Sequence, residues 1–361
     1  MKICFLAPAN NYHTQKWTRY FVDHGHEVHV LSLTDGKIDG AHVYWLNSNT
    51  SAGASDISKL KYLFQFRHIK RIVESIQPDI INAHYASSYG TLAALAGLKD
   101  HVVSVWGSDV YDFPRKSVFH RKLLSYSLNA ASCIFSTSHA MAKETAQYTD
   151  KKIYITPFGV DMDLFHPNKR TRGEDGRFII GTVKKLEPKY GIDYFLKAVN
   201  LVKEKRPDIP LEIRIAGNGS HEDEYHKLAQ KLGIADCIKW LGFISQKEAA
   251  KEWANMDCAI IFSESESESF GVSAVEANAA GIPCIISDIP GLMEATKPGE
   301  TSIVVPRGRA ELLAEQIISM YDCSAKRKTM GENARRFASE TYELNHCFQY
   351  IETLYQAMLK K

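Results

Sequence analysis

Short apolar runs separated by helix-like stretches recur through this chain, and the rhythm starts twice. In the first half KICFLAP (2–8), VHVLSL (28–33), DIINAH (79–84) and HVVSVWG (101–107) read as strands. Between them lie a helical pattern near 14–24 and another over 57–76. The second repeats apolar residues at Tyr62, Phe66, Ile69, Val73 and Ile76, spacings of four and three that make one face of a helix. After residue 177 the alternation restarts with a strand to Val183, a helix from Asp193 to Glu204, and LEIRIAGNG (211–219). CIKWLG, CAIIFS and PCIISD follow with helices between them. Such alternation dictates α/β folding around parallel sheets. The polar, turn-rich stretch 167–177 (PNKRTRGEDGR) is the expected linker. It divides the chain into doubly wound domains over 1–166 and 178–341, with a helix over 342–361 expected to pack back on the first. Ligands of such sheets bind beyond the carboxyl ends of the strands, so a cleft between the domains is the expected site.

With 361 residues and 45% hydrophobic content, the chain can build large cores without disulfides. The seven cysteines are scattered, odd in number and never spaced C-x-x-C, which suits reduced core thiols of a cytoplasmic protein. MKICFLAP reads as a first strand, not a leader, and no apolar run reaches the ~20 residues of a membrane span. Charge is nearly balanced, 44 Lys/Arg against 42 Asp/Glu, which argues against a nucleic-acid partner. The first 166 residues hold 17 Lys/Arg and 14 Asp/Glu, and nine of those cations fall in two acid-free stretches, 59–71 and 115–122. Basic stretches with aromatics suit a peripheral contact with an anionic membrane; Lys/Arg opposite a buried helix face is the plainer alternative.

Several motifs lead nowhere. HEDEYH (221–226) sets its histidines five apart, which rotates them off one helix face and spoils a zinc site. HEVH (26–29) belongs to a turn entering a strand. Asp161 and Asp163 of GVDMDLF read as loop and capping carboxylates. No phosphate-binding G-x-x-x-x-G-K-[ST] loop occurs, and GNG (217–219) is a weak glycine signal. No metal site and no cofactor is expected.

ESESFGVSAVEANAAG (266–281) carries more. It follows the strand CAIIF and reads as a polar loop and a helix starting near Phe270 or Gly271. A helix start offers unpaired amides and a positive dipole end, which suits a diphosphate, and Gly271 lets a ligand approach the backbone. Glu268 just before the helix and Glu276 in its second turn can accept hydroxyl hydrogen bonds at two places along one ligand.

This E-x7-E block resembles that of the retaining glycosyltransferases of family 4 (group 1), which have the GT-B fold of two Rossmann-like domains. PDIINAHY, VVSVWGSD, TPFGVDMDLF, GTVKKLEPKYGID, IAGNGS, WLGFIS and IPCIISDIPGLMEAT match in the same order, so the resemblance covers nearly the whole chain. It implies that Glu268 contacts the hydroxyls of a donor sugar and Glu276 those of the ribose in a nucleotide diphosphate sugar, with UDP the usual nucleotide. It implies backbone contacts from Phe270, Gly271 and Val272, and donor contacts near Gly217 and Phe243. A cationic pair about five residues apart clamps the diphosphate in the family. Here the first is Lys184 or Lys185, and the second is Lys189 unless the register falls on Tyr190.

The first domain departs from the family. Trp106 of SVWGSD stands where many relatives carry histidine, and Asp109 follows it. PANNYHTQKW (8–17) replaces a glycine pair. Asn10, Asn11, His13, His84, Trp106 and Asp109 are therefore the acceptor-binding candidates. Capping by Asn11 or Thr14, a second-layer role for His84 and core packing for Trp106 are the alternatives. The expected activity is metal-independent, retaining transfer from a nucleotide sugar to a glycan, glycolipid or small-molecule hydroxyl, at the cytoplasmic face of the membrane. A sugar-nucleotide isomerase or epimerase and a non-catalytic sugar-nucleotide-binding protein are the rivals.

Overall fold

The computed structural model describes residues 1–46, 64–171 and 176–360. They form two compact units. The first, Met1–Phe158 with the chain from Asn345 onward, is built on seven strands: β1 Lys2–Leu6, β2 Glu27–Ser32, β3 His42–Trp45, β4 Ile80–His84, β5 Val102–Val105, β6 Cys133–Ser136 and β7 Ile153–Ile155. The second, Gly159–Leu344, has six: β8 Phe178–Val183, β9 Leu211–Ala216, β10 Ile238–Gly242, β11 Cys258–Ile261, β12 Cys284–Ser287 and β13 Ser302–Val305. The sheet orders are β3-β2-β1-β4-β5-β6-β7 and β10-β9-β8-β11-β12-β13. All pairs are parallel. Strand order therefore reverses between β1 and β4 and again between β8 and β11, and in a doubly wound sheet that reversal opens a crevice at the carboxyl ends.

Near-continuous apolar strands are the composition that a sheet covered on both faces demands. In the first unit Ile69, Val73 and Ile76 of helix Phe66–Ile76 are buried with Leu6, Leu31 and Leu92, while Arg67, Lys70 and Arg71 on its other side are exposed. Tyr62 and the rest of 47–63, including the start of the 59–71 basic stretch, lie outside the described residues. In the second unit Ile180, Ile213, Ile260 and Ile285 of four adjacent strands pack with Leu196, Val199 and Leu313.

The boundary differs from the sequence expectation. Residues 159–166 belong to the second unit, not the first. The Arg335 guanidinium, on helix Ser324–Tyr342, donates to the carbonyls of Met162, Phe165 and Ala279, and the Val160 amide donates to Tyr342 O at 2.7 Å. A polar composition marks where a chain turns but not which core its neighbours join, so the expected linker lay too late. Its residues 172–175 fall outside the described ones. The other crossing lies at Leu344/Asn345, a little after residue 342. Helix Leu344–Leu359 buries Phe348, Ile351 and Tyr355 in the first unit. Tyr355 stacks on Phe135, and its hydroxyl accepts a 2.6 Å bond from Asn82.

Candidate functional site

In the second unit the site is built where β8 and β11 end. Lys184, the first residue past β8, donates its amide to Ala216 O at 2.8 Å. Its carbonyl rests on Gly217, where a Cβ would sit 1.9 Å from that oxygen; with φ at +134° the position requires glycine. Gly217 thus acts as close-packing backbone that sets where Lys184 starts. The Lys184 side chain then turns inward. Its Nζ lies 2.6 Å from Glu268 Oε2, and the two side chains are 10% and 9% exposed. Ser263 Oγ donates to the same carboxylate oxygen at 3.3 Å.

Lys185 is exposed, and its carbonyl accepts from the Glu187 amide at 3.0 Å. Pro188–Tyr190 forms a single helical turn, closed by Gly191. Glu264 N donates to Lys189 O at 2.8 Å, which ties this turn to the loop after β11. The Tyr190 ring lies 4.8 Å from Lys184 Nζ and 5.1 Å from Lys189 Nζ. Lys184, Lys189, Tyr190 and Glu268 thus form one cluster: two lysine side chains, one tyrosine ring and one carboxylate.

The helix beside this cluster runs Val272–Ala279, with Gly271 at its start in the left-handed region and no side chain capping it. Ser273 Oγ donates to Val183 O at 2.8 Å, which anchors the helix start to the end of β8. Glu276 is on the second turn and 6% exposed. Phe270 is 4% exposed and sets its ring edge-on to Tyr342, so its side chain is committed to packing. Phe243 is exposed just past β10. The arrangement offers what a diphosphate needs, namely cations and an uncapped helix start, with carboxylates for hydroxyls on both sides.

A second ionic group at the same sheet edge has no counterpart in the sequence reading. Arg307, past β13, ion-pairs Asp288 at 3.2 Å and Glu266 at 3.8 Å, and Gly308 N donates to Glu264 at 3.2 Å. Burial pushes the Glu264 carboxyl above its ordinary value. Asp288 directly follows the apolar run PCIIS, a strand-end position that was a readable signal.

The corresponding edge of the first unit is furnished differently. Asn11 caps helix Tyr12–Asp23, its Oδ1 accepting from His13 N at 2.8 Å and Thr14 N at 3.3 Å. Asn10 is exposed and accepts from Thr34 Oγ1. His13 stacks on Phe158 with ring centroids 4.0 Å apart, and burial, followed by nearby Lys16 and His84, holds its pKa well below the ordinary value.

Three acceptor candidates are withdrawn into the core. His84 is 0% exposed among Phe5, Trp17 and Trp106, with centroids at 5.3, 4.9 and 4.4 Å. Neither of its ring nitrogens meets a protein hydrogen-bond partner, and burial lowers its pKa to about 3. Trp106 is packed against Tyr85 and Phe158 as well, so core packing describes it better than a sugar platform. Asp109 accepts from the amides of Ala86, Gly107 and Trp106 at 2.9, 2.9 and 3.1 Å and holds the strand-end loops together. Burial raises its pKa against the pull of those bonds.

The motifs set aside on sequence grounds have plain structural uses. Asp161 accepts from the amides of Asp163 and Leu164, and His226 stacks on Trp240. Among the described residues no three His, Cys, Asp or Glu side chains group to hold a metal ion, and no helix is long and apolar enough to cross a membrane.

Comparison with known proteins supplies the family. Residues 167–337 match the family described as glycosyl transferases group 1, and residues 2–138 the one described as glycosyl transferase 4-like. An uncharacterized glycosyltransferase of Methanocaldococcus jannaschii is 24% identical over 80% of this chain and 78% of its own. A D-inositol 3-phosphate glycosyltransferase of Pseudarthrobacter chlorophenolicus is 31% identical, the match covering 57% of this chain and about half (51%) of that protein's length. Among solved structures, Anabaena HepE in complex with UDP and glucose superimposes with a TM-score of 0.80 at 20% identity, covering 98% of this chain and 99% of the other. The architecture is that of the GT-B glycosyltransferases.

Proposed function

Because this chain belongs to the group 1 glycosyltransferases, we propose that it moves a sugar from a nucleotide diphosphate sugar, in our reading a UDP-sugar, onto an acceptor hydroxyl with retention of configuration. The observation that carries the donor half is the Lys184–Glu268 pair, 2.6 Å apart beside the uncapped start of helix Val272–Ala279. As the anomeric C–O bond breaks, negative charge grows on the leaving diphosphate. The Lys184 and Lys189 ammoniums and the helix amides stabilise it. Glu268 orients the sugar through its hydroxyls, and Glu276 takes the ribose. The acceptor oxygen bonds to the anomeric carbon on the face that the diphosphate leaves, and its proton passes to the departing diphosphate oxygen, so no separate base is required. Two lysines supply the charge compensation, so transfer is expected to persist in chelator. UDP is supported by its presence in the similarly folded HepE complex.

For the acceptor we take a glycan, glycolipid or small-molecule hydroxyl, with a lipid-linked precursor of a cell-surface glycan at the cytoplasmic membrane face favoured. The supporting observation is a patch at the start of helix Val118–Ala130. Val118 and Phe119 are 71% and 60% exposed there, among exposed Arg115, Lys116, Arg121 and Lys122. Apolar tips amid cations suit an anionic lipid surface.

Incubation with a panel of sugar nucleotides tests the reading. Slow release of free sugar and nucleotide from one donor, with the anomeric configuration of the freshly released sugar followed by NMR, is the expected outcome. Interconversion of the nucleotide sugars would reveal an isomerase, and binding without turnover a sensor.

A further inference from the structure

The Tyr190 ring gathers two ammonium groups that have every electrostatic reason to separate. Like charges repel, and two long flexible side chains lose rotamer freedom when held together. Three features oppose this. The aromatic face attracts a cation within ~6 Å, and Lys184 Nζ and Lys189 Nζ lie 4.8 and 5.1 Å from the ring centroid. The Glu268 carboxylate neutralises Lys184 at 2.6 Å. The ring itself is fixed by its backbone: Tyr190 N donates to Glu187 O at 3.0 Å, and Gly191, at φ +62°, presses so close to Phe262 that a Cβ would sit 1.9 Å from its carbonyl oxygen.

We propose that Tyr190 is a positioning residue for donor binding: its ring holds the Lys184 and Lys189 ammoniums in register, and an arriving diphosphate takes Lys184 over from Glu268. The exchange conserves charge at every point. Lys184 leaves one anionic oxygen for another, and Glu268 is released to accept hydrogen bonds from the donor sugar. No proton moves and no covalent bond changes. In the ligand-free protein the salt bridge thus stores both groups in place, with neither left as an unpaired charge in a largely closed setting, where an isolated charge is costly. This inference rests on the transferase reading above.

The test compares Tyr190→Phe with Tyr190→Leu, using UDP and UMP as ligands in titration calorimetry beside donor turnover. Tyr190→Phe keeps the aromatic face and should stay within about threefold of the parent in UDP affinity and turnover. Tyr190→Leu keeps bulk but loses the face, and UDP affinity should fall about tenfold while UMP affinity changes less than threefold. A purely structural role would weaken both ligands together, and that result overturns the proposal. Equal UDP affinity in parent and Tyr190→Leu overturns it also. So does a loss in Tyr190→Phe as large as in Tyr190→Leu, which would place the effect in the hydroxyl. A parent protein that binds no nucleoside diphosphate and turns over no donor defeats the transferase reading itself, a distinguishable failure.

Discussion

The carboxyl ends of β1 and β4 and those of β8 and β11 hold the same place in two sheets whose order matches over six strands, β7 being an extra edge strand of the first. In the second unit that place carries Lys184, Lys189, Tyr190 and Glu268, a cluster of ions gathered around one ring. In the first unit it carries Asn11, His13 and His84, with Trp106 from the end of β5 packed against both histidine rings and His84 wholly enclosed. The crevice at a strand-order reversal is thus a property of backbone topology, whereas its use depends on what fills it. Small and charged residues leave polar atoms within reach of a ligand, and large rings close the space with side chain. Both fillings are costly in their own way: a nearly buried ion pair in one, and a histidine without hydrogen-bond partners in the other.

The sharpest way to break this comparison is to alter both edges. Glu268→Gln keeps the shape and the Ser263 contact but loses the charge that faces Lys184, and donor turnover should fall about a hundredfold, measured as nucleotide release, while the protein stays folded. Turnover equal to the parent's would remove Glu268 from the site. Gly217→Ala attacks the same edge through the backbone. Its Cβ has no room beside Lys184 O, so a destabilisation of about 2–4 kcal/mol is expected in denaturant titration, with weakened donor binding.

The first unit should respond in stability, not turnover. His84 has a folded pKa of about 3 against an ordinary 6.5, so the unfolded chain binds a proton that the native one refuses. Its contribution is whole above about pH 6.5 and is lost as pH falls toward 3. His84→Phe should flatten the loss of stability across that window and leave turnover within about threefold, because two polar atoms without partners are replaced by a ring of similar shape. Denaturant midpoints from pH 7 to 4 decide this, and an unchanged slope would refute it. The smallest effect is expected at the surface: Phe119→Ser should reduce sedimentation with anionic vesicles about threefold and leave soluble donor hydrolysis alone. No salt-sensitive binding by the parent would remove the membrane reading.

The doubly wound architecture was legible because apolar runs of four to six residues, spaced by helix-length intervals, admit few other arrangements. The E-x7-E block was legible because both glutamates lie on one short continuous segment, Glu268 to Glu276, whose helix start is set by Gly271. The structural uses of the first-domain candidates were not. Asn11 is a cap, Asp109 gathers three amides and His84 is enclosed, since a polar side chain at a strand end has several equivalent uses. The Arg307–Asp288–Glu266 group escaped notice because its members come from three separate loops.

By itself, then, the order of residues determined two parallel α/β sheets, the family, and where the helix after β11 starts, all of them consequences of local periodicity and short-range spacing. Only tertiary structure decided that Lys184 and not Lys185 meets Glu268, that Tyr190 joins the lysines, and that residues 159–166 pack with the second core. The physical reason is the same in each case. Which way a side chain turns, and which core a loop joins, is settled by partners distant in sequence: the Ala216 carbonyl and Gly217 that pin Lys184, and the Arg335 guanidinium that gathers Met162 and Phe165.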